Sequence, residues 1–191
     1  NTPFRVGKEM FTKGFDGGND HQTLVNYVFA GNYSPSLRNS LCLKLIRDVL
    51  QDRLLKVLRE RENLVYSPFV DLYYNGVPQQ KYEFMITVSM KDGNQQRVEY
   101  LLQDIINQLK MTPITASELN KMKRSFLVTK DKVPSEWKTA LMSLLKNGES
   151  LHDFEHYAMC LNEITPKTLQ EMINELIVWN QRYVVYKTQK K

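Results

Sequence analysis

Residues 36–61, SLRNSLCLKLIRDVLQDRLLKVLRER, limit the fold more than any other stretch of this chain. Leu41, Leu45, Ile46, Val49, Leu50, Leu54 and Val57 recur there at three- and four-residue steps. That is the helical period, and it predicts a long helix from about Ser36 to Arg61 with an apolar face suited to covering a sheet. Ser34-Pro35 ends the preceding strand and opens the helix, with proline in the first turn.

The partner for that face is legible on both sides of it. TLVNYVF (23–29) places Leu24 and Val28 on one side and Val25, Tyr27 and Phe29 on the other. KYEFMITVSM (81–90) alternates Tyr82, Phe84, Ile86, Val88 and Met90 against Glu83, Thr87 and Ser89. LVYSPFVDLYY (64–74) reads as a strand with an internal proline, hence bent or at an edge. Residues 12–22, TKGFDGGNDHQ, read as a Gly/Asp-rich turn. Four helices follow. Val98, Leu101, Leu102, Ile105, Ile106 and Leu109 mark one, and Thr115-x-x-Glu118 opens another as a capping box. Pro134 divides or kinks that helix, Ser150 opens a short one, and Thr165-Pro166 starts the last, with Leu169, Met172, Ile173, Leu176 and Ile177 inward. RYVVYK closes as a strand. The order β-α-β-β-α-α-α-α-β predicts a single α+β domain, a mainly antiparallel sheet covered on one face by helices.

Composition narrows the function. The chain has 191 residues, 42% apolar and 25% charged, with a net charge of +5. Its basic residues are spread thinly, the densest spots being KMKRS (121–125) and KTQKK (187–191), with no aromatic-plus-basic stripe for stacking bases. This reads as a solvated basic surface, with no nucleic-acid partner. No apolar run approaches the roughly 18 residues of a membrane span, and no membrane partner is expected. Cys42 and Cys160 lie in apolar helical patterns and read as free buried thiols. The opening NTPFRVGKEMF has neither an initiator Met nor a signal-type apolar core, and reads as an excised or processed piece.

One motif suggests metal chemistry. SLHDFEHYAMCLNEI (150–164) contains His152, Glu155 and His156 as H-x-x-E-H, in which inverzincin peptidases hold zinc with two histidines and activate water with the glutamate. On a helix the two histidines share a face. A catalytic zinc, however, takes three protein ligands. Glu163 lies roughly 10 Å along the axis from His156, Glu171 and Glu175 lie beyond Pro166, and Cys160 is turned away from His152 on the wheel. Leu151, Phe154, Ala158 and Leu161 form the apolar stripe, so the histidines face solvent. Ser150-x-x-Asp153 reads as an N-cap, which places His152 in a first turn that disfavours cations. The expectation is two exposed histidines on a short amphipathic helix, with no metal bound by this chain.

A different segment carries a resemblance. LRERENLVYSP (58–68), at the junction of the long helix and the second strand, resembles the insulin-degrading enzyme, pitrilysin and mitochondrial processing peptidase family. VNYVFAGNY, YEFMITVSM, TASELNKMKRSF and LNEITPKTLQEMINEL extend the resemblance over nearly the whole chain. The resemblance implies homologous α/β domains paired into two halves that close around a peptide. Catalytic domains of that family carry H-x-x-E-H on their first long helix, with a glutamate ligand many residues later. Here that helix holds no histidine, and only 35 residues follow His156. The resemblance therefore implies a non-catalytic C-terminal domain, the last of its polypeptide, whose zinc is carried by the catalytic half of the same peptidase, in the same chain or a separate subunit. It further implies that Arg59 and Tyr66, seven residues apart, are substrate-binding residues that reach a peptide substrate at that zinc. Both side chains are hydrogen-bond donors suited to a peptide carbonyl. Asn63-Leu64 stands where the family often has glycine, and asparagine tolerates the left-handed backbone such a link needs. Arg59 read by itself is a surface arginine paired with Glu60 or Glu62, and Tyr66 an ordinary sheet tyrosine. Two other assignments fit the same residues: a structural, non-peptidase member of the fold, and a domain with its own metal at His152, Glu155 and His156.

Overall fold

A computed structural model of the chain describes residues 11–16, 22–131, 137–150, 152 and 155–188. Strands β1 (Phe11–Asp16) and β2 (Gln22–Asn32) precede helix α1 (Leu37–Leu54), which continues as a π-helical turn over Leu55–Arg61. Strands β3 (Phe69–Asn75) and β4 (Lys81–Lys91) follow, then α2 (Gln95–Met111), α3 (Ala116–Asp131), α4 (Trp137–Asn147), α5 (Tyr157–Glu163) and α6 (Pro166–Leu176). A 3₁₀ turn, Trp179–Gln181, leads into β5 (Tyr183–Thr188).

The five strands lie in the order β1-β5-β2-β4-β3. The pairs β5/β2, β2/β4 and β4/β3 are antiparallel, and β1 joins the edge parallel to β5. The expected mainly antiparallel sheet is therefore present, with one strand more than the sequence suggested. Residues 12–16 had read as turn because Gly14 and Asp16 are poor strand formers. Pairing with β5, more than 160 residues away, extends them, and no local signal reports such a partner. The expected break at Pro134, the apolar-stripe positions Leu151 and Phe154, and Asp153 of the expected N-cap lie outside the described residues.

The strand alternation is borne out in full. Val25, Tyr27 and Phe29 of β2 and Tyr82, Phe84, Ile86, Val88 and Met90 of β4 are buried on one face. Helix α1 covers that face. The period predicted one apolar stripe, but Cys42 and Leu43 are buried as well as Leu41, Leu45 and Ile46. The far side of α1 is overlaid by α5, α6 and α2, so the helix is interior on most of its circumference. Cys42 is a free thiol there, pushed up to about 12 chiefly by burial.

The helix starts are built as their residues dictate. Ser36 Oγ accepts from Asn39 N at 3.1 Å, and Thr165 Oγ1 from Thr168 N at 3.1 Å. Thr115 and Glu118 close a reciprocal box, Thr115 N donating to Glu118 at 2.9 Å and Glu118 N to Thr115 Oγ1 at 3.2 Å. Within KMKRS, Lys123 turns inward instead of joining a basic surface. Its ammonium donates to the carbonyls of Asn162 (2.9 Å) and Ile164 (2.6 Å), satisfying the C-terminal end of α5. At the opposite edge Arg182 is buried, ion-paired with Glu99 and stacked 3.9 Å over Trp179, which in turn packs on Tyr27 and Phe29.

Strand β3 is pinned at both ends. Gln51 of α1 donates to Pro68 O and accepts from Val70 N, both at 2.9 Å, while Gly76 N donates to Lys146 O at 3.0 Å. Gly76 is required at that crossing, since a Cβ would lie 2.5 Å from the Asn147 carbonyl oxygen. Truncating the centre of this packing is costly. Phe84→Ala is expected to lower unfolding free energy by about 3–5 kcal/mol, read as a lower denaturant midpoint at unchanged slope.

Candidate functional site

The segment that follows α1 is where the chain departs from regular structure. The π turn ends with Glu62 N bonded to Val57 O at 3.0 Å, and Leu64 N reaches back six residues to Leu58 O at 2.9 Å. Asn63 between them has φ 51°, the left-handed conformation of a helix-terminating residue. The sequence expectation that Asn63 takes left-handed geometry is thus met. Leu58 is fully buried and Leu64 packs against the core, so both sides of the turn are anchored.

This termination controls where Arg59 and Tyr66 go. A π turn carries more residues per turn than an α-helix and so rotates the face presented by each side chain; such turns are frequent at functional sites. Arg59 projects from it into solvent. Beyond the turn, Val65 is buried and makes one isolated bridge to Met90, and the chain then bends. Strand β3 starts at Phe69, not at Leu64 as the sequence suggested, because Pro68 lacks the N–H that a paired strand would use. Tyr66 therefore lies outside the sheet, and 86% of it is exposed.

The electrostatics free Arg59. The candidate partner Glu62 is taken by two other arginines, Arg61 Nε at 3.1 Å and Arg97 Nη2 of α2 at 3.0 Å. These bonds, Arg97 first, hold the Glu62 carboxyl below the ordinary glutamate range. Among the described residues, neither the Arg59 nor the Tyr66 side chain has a hydrogen bond or ion pair. Two donors, seven residues apart in sequence, are thus presented on the helix-to-strand junction with their side-chain hydrogen-bonding capacity unspent among the described residues.

Exposed aromatics continue from this point. Phe69 and Tyr73 of β3 are more than half exposed, on the strand face opposite buried Val70. Their cross-strand neighbours are Thr87 and Glu83. Tyr73, Tyr74, Asn75, Lys81 and Glu83 line a shallow cleft of about 290 Å³ at the strand's end. Sequence reading had missed this run, whose signal was the aromatic at every fourth position of β3.

The motif of residues 152–156 has a different setting. His152 and Glu155 are exposed and meet at 3.6 Å, and the rings of His152 and His156 lie 4.7 Å apart. Both histidines face solvent as expected. Cys160, expected to be turned away, lines the same cleft as both. Among the described residues, no group of three or more His, Cys, Asp or Glu is gathered to hold a metal. Helix α1, the first long helix, holds no histidine; its buried Cys42 thiol lies apart from Asp48 and Asp52, whose carboxylates are paired with Arg47, Arg53 and Lys56, and these residues do not fit a metal.

The sequence profile of the peptidase M16 inactive domain matches residues 4–126. The chain belongs to that family. It is a domain of the inactive M16 type, and solved structures share its fold. The periplasmic protease PqqL from Escherichia coli superposes with a TM-score of 0.82 at 14% identity, over 96% of this chain and 21% of that one. A peptidase M16 inactive domain from Pseudomonas fluorescens gives 0.78 at 17% identity, over 96% and 44%. A protease from Helicobacter pylori gives 0.76 at 15%, over 98% and 46%. The M16 inactive domain thus spans less than half the length of these relatives. No curated protein sequence matches it.

The left-handed turn invites a direct measurement. Asn63→Val is expected to destabilise the domain by about 1–2 kcal/mol, since a β-branched residue resists positive φ, whereas Asn63→Gly is expected to be neutral or slightly stabilising. Chemical denaturation of the two variants checks the pair.

Proposed function

We propose that this M16 inactive domain forms part of the substrate chamber of a metalloendopeptidase and positions peptide substrate through Arg59 and Tyr66. The zinc and the water it activates belong to the catalytic half, in the same chain or in a partner subunit, and this chain by itself does not hydrolyse peptides. The observation that carries the reading is the pair of unspent donors: Arg59 and Tyr66 are exposed, without partners among the described residues, on a junction locked by Asn63.

The roles follow from the donors' chemistry. The Arg59 guanidinium presents a fork of N–H groups and a fixed charge; the Tyr66 hydroxyl presents one neutral O–H donor. Aimed at a scissile carbonyl, both hold it in the ground state and bind more strongly as negative charge develops on its oxygen. A rigid base matters because a donor that must be reoriented at the moment of reaction loses much of its value. The exposed aromatics of β3, Phe69 and Tyr73, add apolar surface along which the rest of a peptide can lie. The pairing of Glu62 with Arg61 and Arg97 supports the reading too, since it keeps a carboxylate from neutralising Arg59.

The test uses the full peptidase. Arg59→Ala is expected to reduce kcat/KM by roughly 10²-fold, and Tyr66→Phe, which removes only the hydroxyl, to reduce it less, with zinc content unchanged in both. Unchanged turnover in both variants overturns the positioning role and favours a structural domain.

A further inference from the structure

We propose that His152 and His156 form a two-histidine surface site for a borderline divalent ion, of the Cu²⁺, Ni²⁺ or Zn²⁺ type, separate from any peptidase chemistry. Both imidazoles line one cleft of about 380 Å³, together with Ser36, Leu37, Arg38 and Cys160. Their spacing suits one ion. With nitrogen–metal bonds of about 2.0–2.1 Å, rings sharing a metal at 90–109° have centres about 4.5–5.2 Å apart; the observed separation is 4.7 Å.

The hydrogen bonds behind the rings point the same way. Nδ1 of His156 lies 3.0 Å from the backbone carbonyl of His152. A carbonyl only accepts, so Nδ1 carries the proton and Nε2 keeps its lone pair. Nδ1 of His152 faces the Glu155 carboxylate at 3.6 Å, which favours the same tautomer. A ring N–H directed at a carbonyl or carboxylate is the arrangement that orients metal-binding histidines and raises their basicity. It also gives Glu155 a role other than that of a water-activating base, because its carboxylate is turned to the back of the ligand.

Two further residues set the character of the site. No third protein ligand is gathered among the described residues, so water completes the coordination and the site binds without catalysing. Arg38 brings a positive charge into the same cleft. That charge opposes cations held mainly by electrostatics, such as Mg²⁺, and leaves ions that gain from imidazole coordination. The bound ion would clamp 152 to 156, one turn ahead of α5, and so brace the segment leading into that helix.

The experiment is calorimetric titration of the metal-free chain with Cu²⁺, Ni²⁺, Zn²⁺ and Mg²⁺. The expected result is one ion per chain, Cu²⁺ tightest and Mg²⁺ not bound, with affinity falling as protons compete at lower pH. His152→Ala and His156→Ala should each weaken Cu²⁺ at least tenfold, and Glu155→Gln by about tenfold. Arg38→Gln should tighten binding. Because the ligands are exposed, their variants keep the fold, and loss of the metal-induced rise in melting temperature gives a second readout. The proposal is overturned by absent saturable Cu²⁺ binding at millimolar ion, or by binding that survives both histidine variants. Peptide hydrolysis by the loaded chain that Glu155→Gln abolishes would overturn its non-catalytic character. None of these outcomes bears on Arg59 and Tyr66.

Discussion

Helix α1 is the element against which everything else is placed. Its residues from Leu41 to Leu54 fill the space between the inner face of β2 and β4 and the overlying helices α2, α5 and α6. A helix buried on most sides cannot rotate or slide without opening voids among close-packed side chains. Its C-terminal end is therefore held by the whole core and not merely by the turn that follows. Gln51 extends this control sideways by clasping the start of β3, and Arg53 reaches Glu118 of the α3 capping box at 2.7 Å.

The proposed site lies where that rigid element stops. The π turn, the left-handed Asn63 and the buried Val65 convert a helix end into a platform, and Arg59 and Tyr66 stand on its two sides. This inactive M16 domain keeps a long first helix that holds no histidine. The late histidine pair is a different kind of feature. It sits on the surface, at the margin of α5, and its chemistry depends on two ring nitrogens and what lies behind them, not on the core.

Much of this was legible in the residues. The alternation in 81–90 named every buried residue of β4, and Thr115-x-x-Glu118 and Thr165-Pro166 named two helix starts, because these signals are local. Asn63 was legible as well, since few residues accept positive φ. Other features were not. Strand β1 depends on a partner at the far end of the chain. The inward turn of Lys123 depends on the position of the α5 carbonyls, and the burial of Arg182 on Glu99 and Trp179.

The sequence by itself determined the fold class, the element periods, the family and the absence of histidine from the first long helix. It could do so because hydrophobic period, capping residues and ligand identity are properties of neighbours along the chain. The tertiary structure alone decided that Glu62 serves Arg61 and Arg97 and leaves Arg59 unpaired among the described residues, that Tyr66 escapes the sheet, and that Cys160 shares a cleft with the histidines. Each of those outcomes is a competition among groups on different elements. Its result depends on distances that only packing around α1 supplies.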